Sequence, residues 1–256
     1  MGSLIISADD FGKSASANKN ILKLAKLSKI QRVSVMVNGK FSSAEIKKLL
    51  LSKVLLDIHL TLSSDTMNFE SGILNIDQDS KFKIQNSKRL IKFIILYLTR
   101  RIKPNKVLAK WDKQIDKFVN IFNKTPDGLN SHEHIHFFPP YFKIALKLCE
   151  KYKISHIRYG NKGILANNNK VGRIIKILNQ INKKFFTSYK LQVTSYKYLV
   201  SLDWLDNPKE FLQNLPHGST EIVCHPERRE EFEKISQLTL KNKQTNFSES
   251  RFIIFL

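Results

Sequence analysis

Four short apolar runs in this chain each finish on a residue able to do chemistry: LIISADD at Asp9 and Asp10, VLLDIH at His59, GLNSHEHIH at His132, and EIVCH at His225. ISHIR, ending on Arg158, is a fifth of the same kind. A strand that is apolar along its length and polar only at its end is what a parallel barrel needs, because its reactive groups gather at the C-terminal mouth of the strands. The pattern therefore predicts an α/β barrel with mainly parallel strands, and a pocket holding two carboxylates and several imidazoles.

Strand-like and helix-like stretches alternate along the chain, as a parallel sheet with helices outside it requires. Ile21, Leu24 and Ala25 recur at helical spacing within 16–28, and RVSVMVN at 32–38 is β-branched and extended. Ser42 and Glu45 form a capping box for a helix running to Leu51. Val107, Trp111, Ile115, Phe118 and Phe122 share one side of a helix over 107–123, and Pro139-Pro140 open another bearing Tyr141, Ala145, Leu148 and Tyr152. Later come a Lys-rich helix near 170–184, the strand KYLVSL, a helix from Pro208, the strand TEIVCH, a helix from Pro226 and a terminal RFIIFL. Residues 63–87 and 160–170 are polar and loop-like, and the first is placed over the pocket mouth. No internal repeat is visible, and one domain over residues 1–256 is expected, since 256 residues that are 42% hydrophobic can bury one sizeable core.

Lys and Arg outnumber Asp and Glu by 43 to 22, a net charge of +21, which attracts acidic partners without choosing among them. Lysines spread over solvated helix faces account for it equally well. Cys149 and Cys224 are far apart and in no CxxC pattern, so a disulfide scaffold and a Cys-ligated zinc are both unsupported. With no basic, apolar and cleavage-site sequence at the start and no apolar run of spanning length, a cytoplasmic location is expected.

Three motif look-alikes fail on context. Gly12-Lys13-Ser14 lacks the earlier glycine of a phosphate loop, Asp10-Phe11-Gly12 has no kinase segments before it, and Cys224 should face the core, opposite His225. Asp9 and Asp10 would diverge on a regular strand, so both serve one pocket only if the chain turns there, which Phe11-Gly12 permits; otherwise one merely caps the next helix. His132, His134 and His136 alternate, so on an extended segment they would share a face. Burying three imidazoles without a metal or an acid is costly, whereas His156 and His217 fit ordinary core or surface positions. A carboxylate with imidazoles from separate strands is a mixed oxygen and nitrogen site suited to Zn, Mn, Mg, Co or Ni.

ISADDFGKS with a following Asn, VSVMVNG, DIHLTL, the Gln-x-x-x-Phe of 114–118, LNSHEHIHFFP, Ile157-Arg158 and HGSTEIVCHP together resemble, in order and spacing, the YdjC-like (ChbG-like) carbohydrate deacetylases. The resemblance covers essentially the whole chain. It implies a single-domain deformed (β/α) barrel and a hydrolase that removes acetyl from an N-acetylated amino sugar, in an oligosaccharide or glycolipid, by attack of a metal-activated water. It makes Asp10, His59 and His132 the ligands of a divalent metal, Mg or Zn foremost, with Asp9 the base and His225 the acid. Arg158 is expected beside Asp9, holding it ionised, or else in contact with substrate. His134 and His136 are expected to line the pocket or orient ligands.

Three positions depart from the family pattern: Asn130 stands where an Asp is usual, Glu227 where a Gly follows the His-Pro pair, and Lys110 where an acid precedes Gln114. Asn130 keeps a catalytically inactive sugar-binding relative in play. A basic nucleic-acid-binding protein is the third reading, though it leaves the Asp and His constellation without a purpose, so no nucleic acid is expected as a partner. The expected partner is an N-acetylated saccharide, lipid-linked in one version; a homodimer is admitted. KRLIKFIILYLTRRIK at 88–103 is too short to span a bilayer but could lie on an anionic membrane surface, the ordinary barrel helix being slightly favoured.

Overall fold

The computed structural model describes residues 2–62, 102–166, 169–189 and 193–238. The segment at 63–87, nearly all of the basic apolar stretch at 88–103 and the terminal RFIIFL lie outside these residues. Within them, β1 (Gly2–Phe11) is the central strand, buried from Ile5 onward. It has a strand on either side, the condition under which a parallel strand becomes a largely hydrophobic run, broken here by Ser7 and the two aspartates.

The remaining elements are α1 (Ala15–Lys26), β2 (Arg32–Val35), α2 (Ser43–Leu51), β3 (Leu55–Leu60), α3 (Pro104–Phe122), β4 (Gly128–Ser131), α4 (Pro139–Tyr152), β5 (Gly163–Ile164), α5 (Lys170–Tyr189), β6 (Tyr198–Ser201), α6 (Pro208–Gln213), β7 (Gly218–Cys224) and α7 (Arg229–Gln237). The sheet order is β4-β3-β2-β1-β7-β6-β5, and every pairing is parallel. The sheet curls into a half-barrel. Beyond β4, Ile157 bridges Leu129 and His156 bridges Thr194, on the segment that leads into β6. ISHIR, expected to be a strand, thus makes only single bridges, and the barrel is deformed on that side.

Other local differences have simple causes. The loop-like 160–170 contains the two-residue β5, paired to β6. The helix expected from Pro226 begins at Arg229, after a turn closed by Arg228 N donating to His225 O at 2.9 Å. Helix starts follow their caps: Ser14 Oγ accepts from Ala17 N, Ser42 and Glu45 form the expected capping box, and Pro104 and Pro139 occupy first turns. Ser14 caps α1, so neither Asp9 nor Asp10 is used for that purpose. Cys224 is fully buried, as its register predicted.

Candidate active site

All strands run the same way, so their C-terminal ends share one mouth. β1 brings Asp9 and Asp10 there, β3 brings His59, the residue after β4 is His132, and the residue after β7 is His225. How two adjacent aspartates both reach the pocket is answered by a bulge. Ala8 pairs with Val33 but Phe11 with Val35, so three steps along β1 match two along β2. The extra residue is absorbed at Asp10, whose φ is 74°.

The turn that follows is held tightly. Gly12 has φ 101°, and a Cβ there would sit 2.7 Å from Met36 O; one on Gly39 would collide with the Gly12 backbone. Asn18 Oδ1 accepts from Gly12 N at 2.6 Å, and its Nδ2 donates to Lys40 O at 2.9 Å. These contacts fix the direction in which Asp10 leaves the strand.

Asp10 Oδ1 lies 3.3 Å from His59 Nε2 and 3.1 Å from His132 Nδ1, and donor atoms from these three residues lie within 4.8 Å of one another. Asp10 and His59 are buried; the His132 side chain, 29% exposed, opens to the mouth. His59 Nδ1 is hydrogen-bonded to Asn130 Oδ1, while Asn130 Nδ2 donates to Ser34 Oγ at 2.9 Å. That arrangement assigns the ring hydrogen to Nδ1 and leaves the lone pair of Nε2 facing a carboxylate oxygen. Two acceptors converging in a buried place call for a cation, so the donor set fits a divalent metal. Burial would raise the Asp10 carboxyl, but the charge and hydrogen bond of His132 hold it well below the ordinary carboxylate range. His132 is raised in return: burial opposes its charge, and Asp10 outweighs that.

Asp9 faces a different partner. Arg158, 1% exposed, sends Nη1 to Asp9 Oδ2 at 2.7 Å and Nη2 to Oδ1 at 2.9 Å, and its Nε to Glu221 Oε1 at 2.9 Å. Burial alone would raise Asp9, but Arg158 first and His59 second drive it far below its usual value. Asp9 Oδ2 is also 4.0 Å from His59 Nδ1, so the two aspartates flank one imidazole. At the end of β7, the strand paired to β1, burial lowers His225, but Glu231 outweighs it, with Asp10 adding to the effect, and its pKa rises to about 9.

The three alternating histidines do not share a face, contrary to expectation. Glu133 and His134 both have φ 55°, so the backbone coils through His132–Phe137 rather than extending. Ser131 Oγ drives this, accepting from His136 N and meeting His136 Nδ1, both at 2.8 Å. His136 Nε2 donates to Arg158 O at 2.9 Å, which leaves it a neutral structural group supporting the arginine; burial pushes its pKa well down. His134 packs against Trp204 with ring centroids 5.2 Å apart, and burial followed by Arg158 lowers its pKa to about 3. His156 is buried against Tyr196, as the bland reading held.

Several participants had no role assigned in the sequence reading. Gln114, on the buried side of α3, accepts from Thr61 N and donates to Thr61 O, both at 2.9 Å, pinning the chain just past His59. Lys13 Nζ lies 3.1 Å from Asp10 Oδ2 and 2.8 Å from Glu227 Oε2. Beneath the site, Arg32 forms a buried two-bond pair with Asp57. A polar residue within an apolar run, such as Asp57 in VLLDIH or Glu221 in EIVCH, was the available signal for a charged barrel interior.

The family model for the YdjC-like protein matches residues 3–251. A carbohydrate deacetylase of Halalkalibacterium halodurans is 27% identical over 152 residues, which span 59% of this chain and 61% of that relative. A chitooligosaccharide deacetylase of Salmonella paratyphi B is 24% identical over 226 residues, 87% of this chain and 81% of the relative. The crystal structure of an Enterococcus faecalis protein assigned to cellobiose-phosphate cleavage superposes with a TM-score of 0.56 at 17% identity, covering 87% of this chain and 80% of that one, a likeness of fold. With a family match over nearly its whole length and the parallel half-barrel that carries its motifs, this chain belongs to the YdjC-like family.

Proposed function

We propose that this protein is a metal-dependent carbohydrate deacetylase that hydrolyses the acetamido group of an N-acetylated amino sugar. The observation that carries the reading is the pairing of two unlike carboxylates at one bulge. Asp10 sits among imidazole donors, and Asp9, next to it in sequence, is clamped by a buried arginine. The relatives' names, carbohydrate and chitooligosaccharide deacetylase, supply the substrate class.

In this reading Asp10, His59 and His132 hold the divalent cation, which when bound polarises the acetyl carbonyl and acidifies water. Two imidazoles in the donor set favour zinc or another transition metal over magnesium. Asp9 takes the proton of the attacking water, and Arg158 orients it through both oxygens. His225 gives a proton to the amine nitrogen as the carbon–nitrogen bond breaks, so acetate and a free amine result. Ionised Asp9 and protonated His225 coexist between the depressed carboxyl and the raised imidazole, a range that includes neutral pH. His134 with Trp204 forms an aromatic wall, and Asn130 keeps the His59 ring oriented. The amide oxygen of Asn130 can accept from His59 Nδ1 as a carboxylate would, which favours the enzyme over the inactive-binder reading.

Among the described residues no helix is long and apolar enough to cross a membrane. The test is acetate release from N-acetylated sugars, from chitobiose to lipid-linked glycans, with added divalent metals, an EDTA control and Asp9→Asn. Release that needs both metal and Asp9 is expected. Metal binding without release from any sugar would shift the reading to a binding protein, and absence of metal binding would sink the site.

A further inference from the structure

The turn after β7 carries more than His225. Glu231, buried on the first turn of α7, accepts the His225 backbone N–H through Oε2 at 2.7 Å, and the same oxygen lies 3.5 Å from His225 Nδ1. That ring nitrogen is buried and makes no shorter hydrogen bond among the described residues. A few tenths of an ångström of ring rotation bring it within range. The other oxygen of Glu231 accepts from Arg228 Nη1 at 2.6 Å, and Arg228 Nη1 also reaches Asp203 Oδ2 at 3.1 Å. Asp203 adjoins Trp204, the ring against which His134 packs. The chain Asp203, Arg228, Glu231, His225 therefore ties the aromatic wall to the imidazole.

We propose that Glu231 is the positioning residue of His225: it anchors the imidazole through Nδ1 and leaves Nε2 as the nitrogen that delivers a proton to the leaving amine. The inference rests on the reading of His225 as the acid. The geometry is that of a carboxylate orienting an imidazole and stabilising its cation, here with an arginine holding the carboxylate in turn. The Nε2–H proton passes to the amine nitrogen, which receives the electron pair of the broken carbon–nitrogen bond; Nδ1 keeps its hydrogen and Glu231 stays ionised. Solvent then reprotonates Nε2. Other titratable or charged groups face His225 from β1 (Asp9 and Asp10), from the turn after β4 (His134), from the segment after β6 (Asp203) and from its own turn (Arg228). Glu231 is the one that accepts from its backbone and also lies 3.5 Å from its ring.

The test compares Glu231→Gln, Glu231→Asp and His225→Gln in the metal-loaded enzyme, with diacetylchitobiose as the probe and with the His225 ring titrated by NMR. Glutamine can still accept the backbone bond, so folding should hold, and a thermal melt checks it. Glu231→Gln should lower kcat about ten-fold or more with KM nearly unchanged. The alkaline limb of its kcat profile and the His225 titration should both move at least one unit toward acid, with partial recovery in Glu231→Asp. If His225→Gln is inactive but Glu231→Gln keeps the wild-type limb and titration, the positioning role falls while the acid stands. If His225→Gln releases acetate at the wild-type rate, the acid assignment falls and this proposal with it.

Discussion

Arg158→Met removes a cation held between two buried carboxylates, and the structure sets the size of the effect. Arg158, Asp9 and Glu221 are each no more than 2% exposed, and the guanidinium makes two bonds to Asp9, one to Glu221 and one to Ser34 Oγ at 3.2 Å. Methionine refills the apolar stem but leaves both acids without their guanidinium. Breaking a buried pair by removing one member costs about 3–5 kcal/mol, because the remaining charge is uncompensated. At this chain length that corresponds to a fall in Tm on the order of 10 °C. The argument also predicts the cure. In Arg158→Met/Asp9→Asn/Glu221→Gln no buried charge is left stranded, and stability should return to within about 2 kcal/mol of wild type, since neutral replacements of buried ion triads are frequently tolerated.

The assay is urea unfolding followed by circular dichroism, in EDTA so that metal affinity does not enter, with the slope checked for constancy. The dependence on pH has opposite signs in the two proteins. In the wild type, the Asp9 carboxyl is depressed, so its contribution is present above the ordinary carboxylate pKa and is lost as pH falls toward the folded value. In Arg158→Met the largest influence opposing burial at Asp9 is gone, so its carboxyl should rise and the destabilisation should shrink in acid as it protonates. A loss below about 1 kcal/mol, or a triple variant no more stable than the single one, would refute the view that uncompensated charge dominates this part of the barrel.

Other consequences are separately measurable. Asp10→Asn or His59→Ala should abolish stoichiometric zinc binding in calorimetry while leaving the far-ultraviolet spectrum of the apoprotein unchanged. Asn130→Asp puts a carboxylate on the His59 Nδ1–H and should tighten metal binding by about ten-fold, the lower end of what such supporting partners contribute. Lys13 beside Asp10 Oδ2 opposes a bound cation and Glu227 screens it, so Lys13→Met should tighten and Glu227→Gly weaken metal affinity, each by roughly 1 kcal/mol of Coulomb energy. The imidazole of His225 is raised to about 9, so its contribution to metal-free stability is complete below the ordinary histidine pKa and is lost as pH rises through about 9; His225→Gln should flatten that alkaline decline in an unfolding series.

Local physics was legible in the amino-acid order. The apolar runs with polar ends named the strands and placed Asp9, Asp10, His59 and His225 at one mouth, because a parallel sheet aligns every C-terminal end. The capping box at Ser42, the prolines at 104 and 139, and the buried stripe of Val107, Trp111, Ile115, Phe118 and Phe122 depend on neighbours within a few turns, and these too could be read directly. Tertiary structure decided what depends on register between distant segments. The bulge at Asp10 exists only relative to β2, and His132, His134 and His136 take three different partners because Ser131 coils the backbone that alternation suggested was extended. ISHIR reads as a strand but finds just single-residue bridges where the barrel deforms. Arg158 stands beside Asp9 as expected, but its second partner Glu221, and the choice of His225 by Glu231, lie across separations that no sequence period encodes. Charges can enter such an interior only in compensated sets, and which charges meet is fixed by how the strands curl around them.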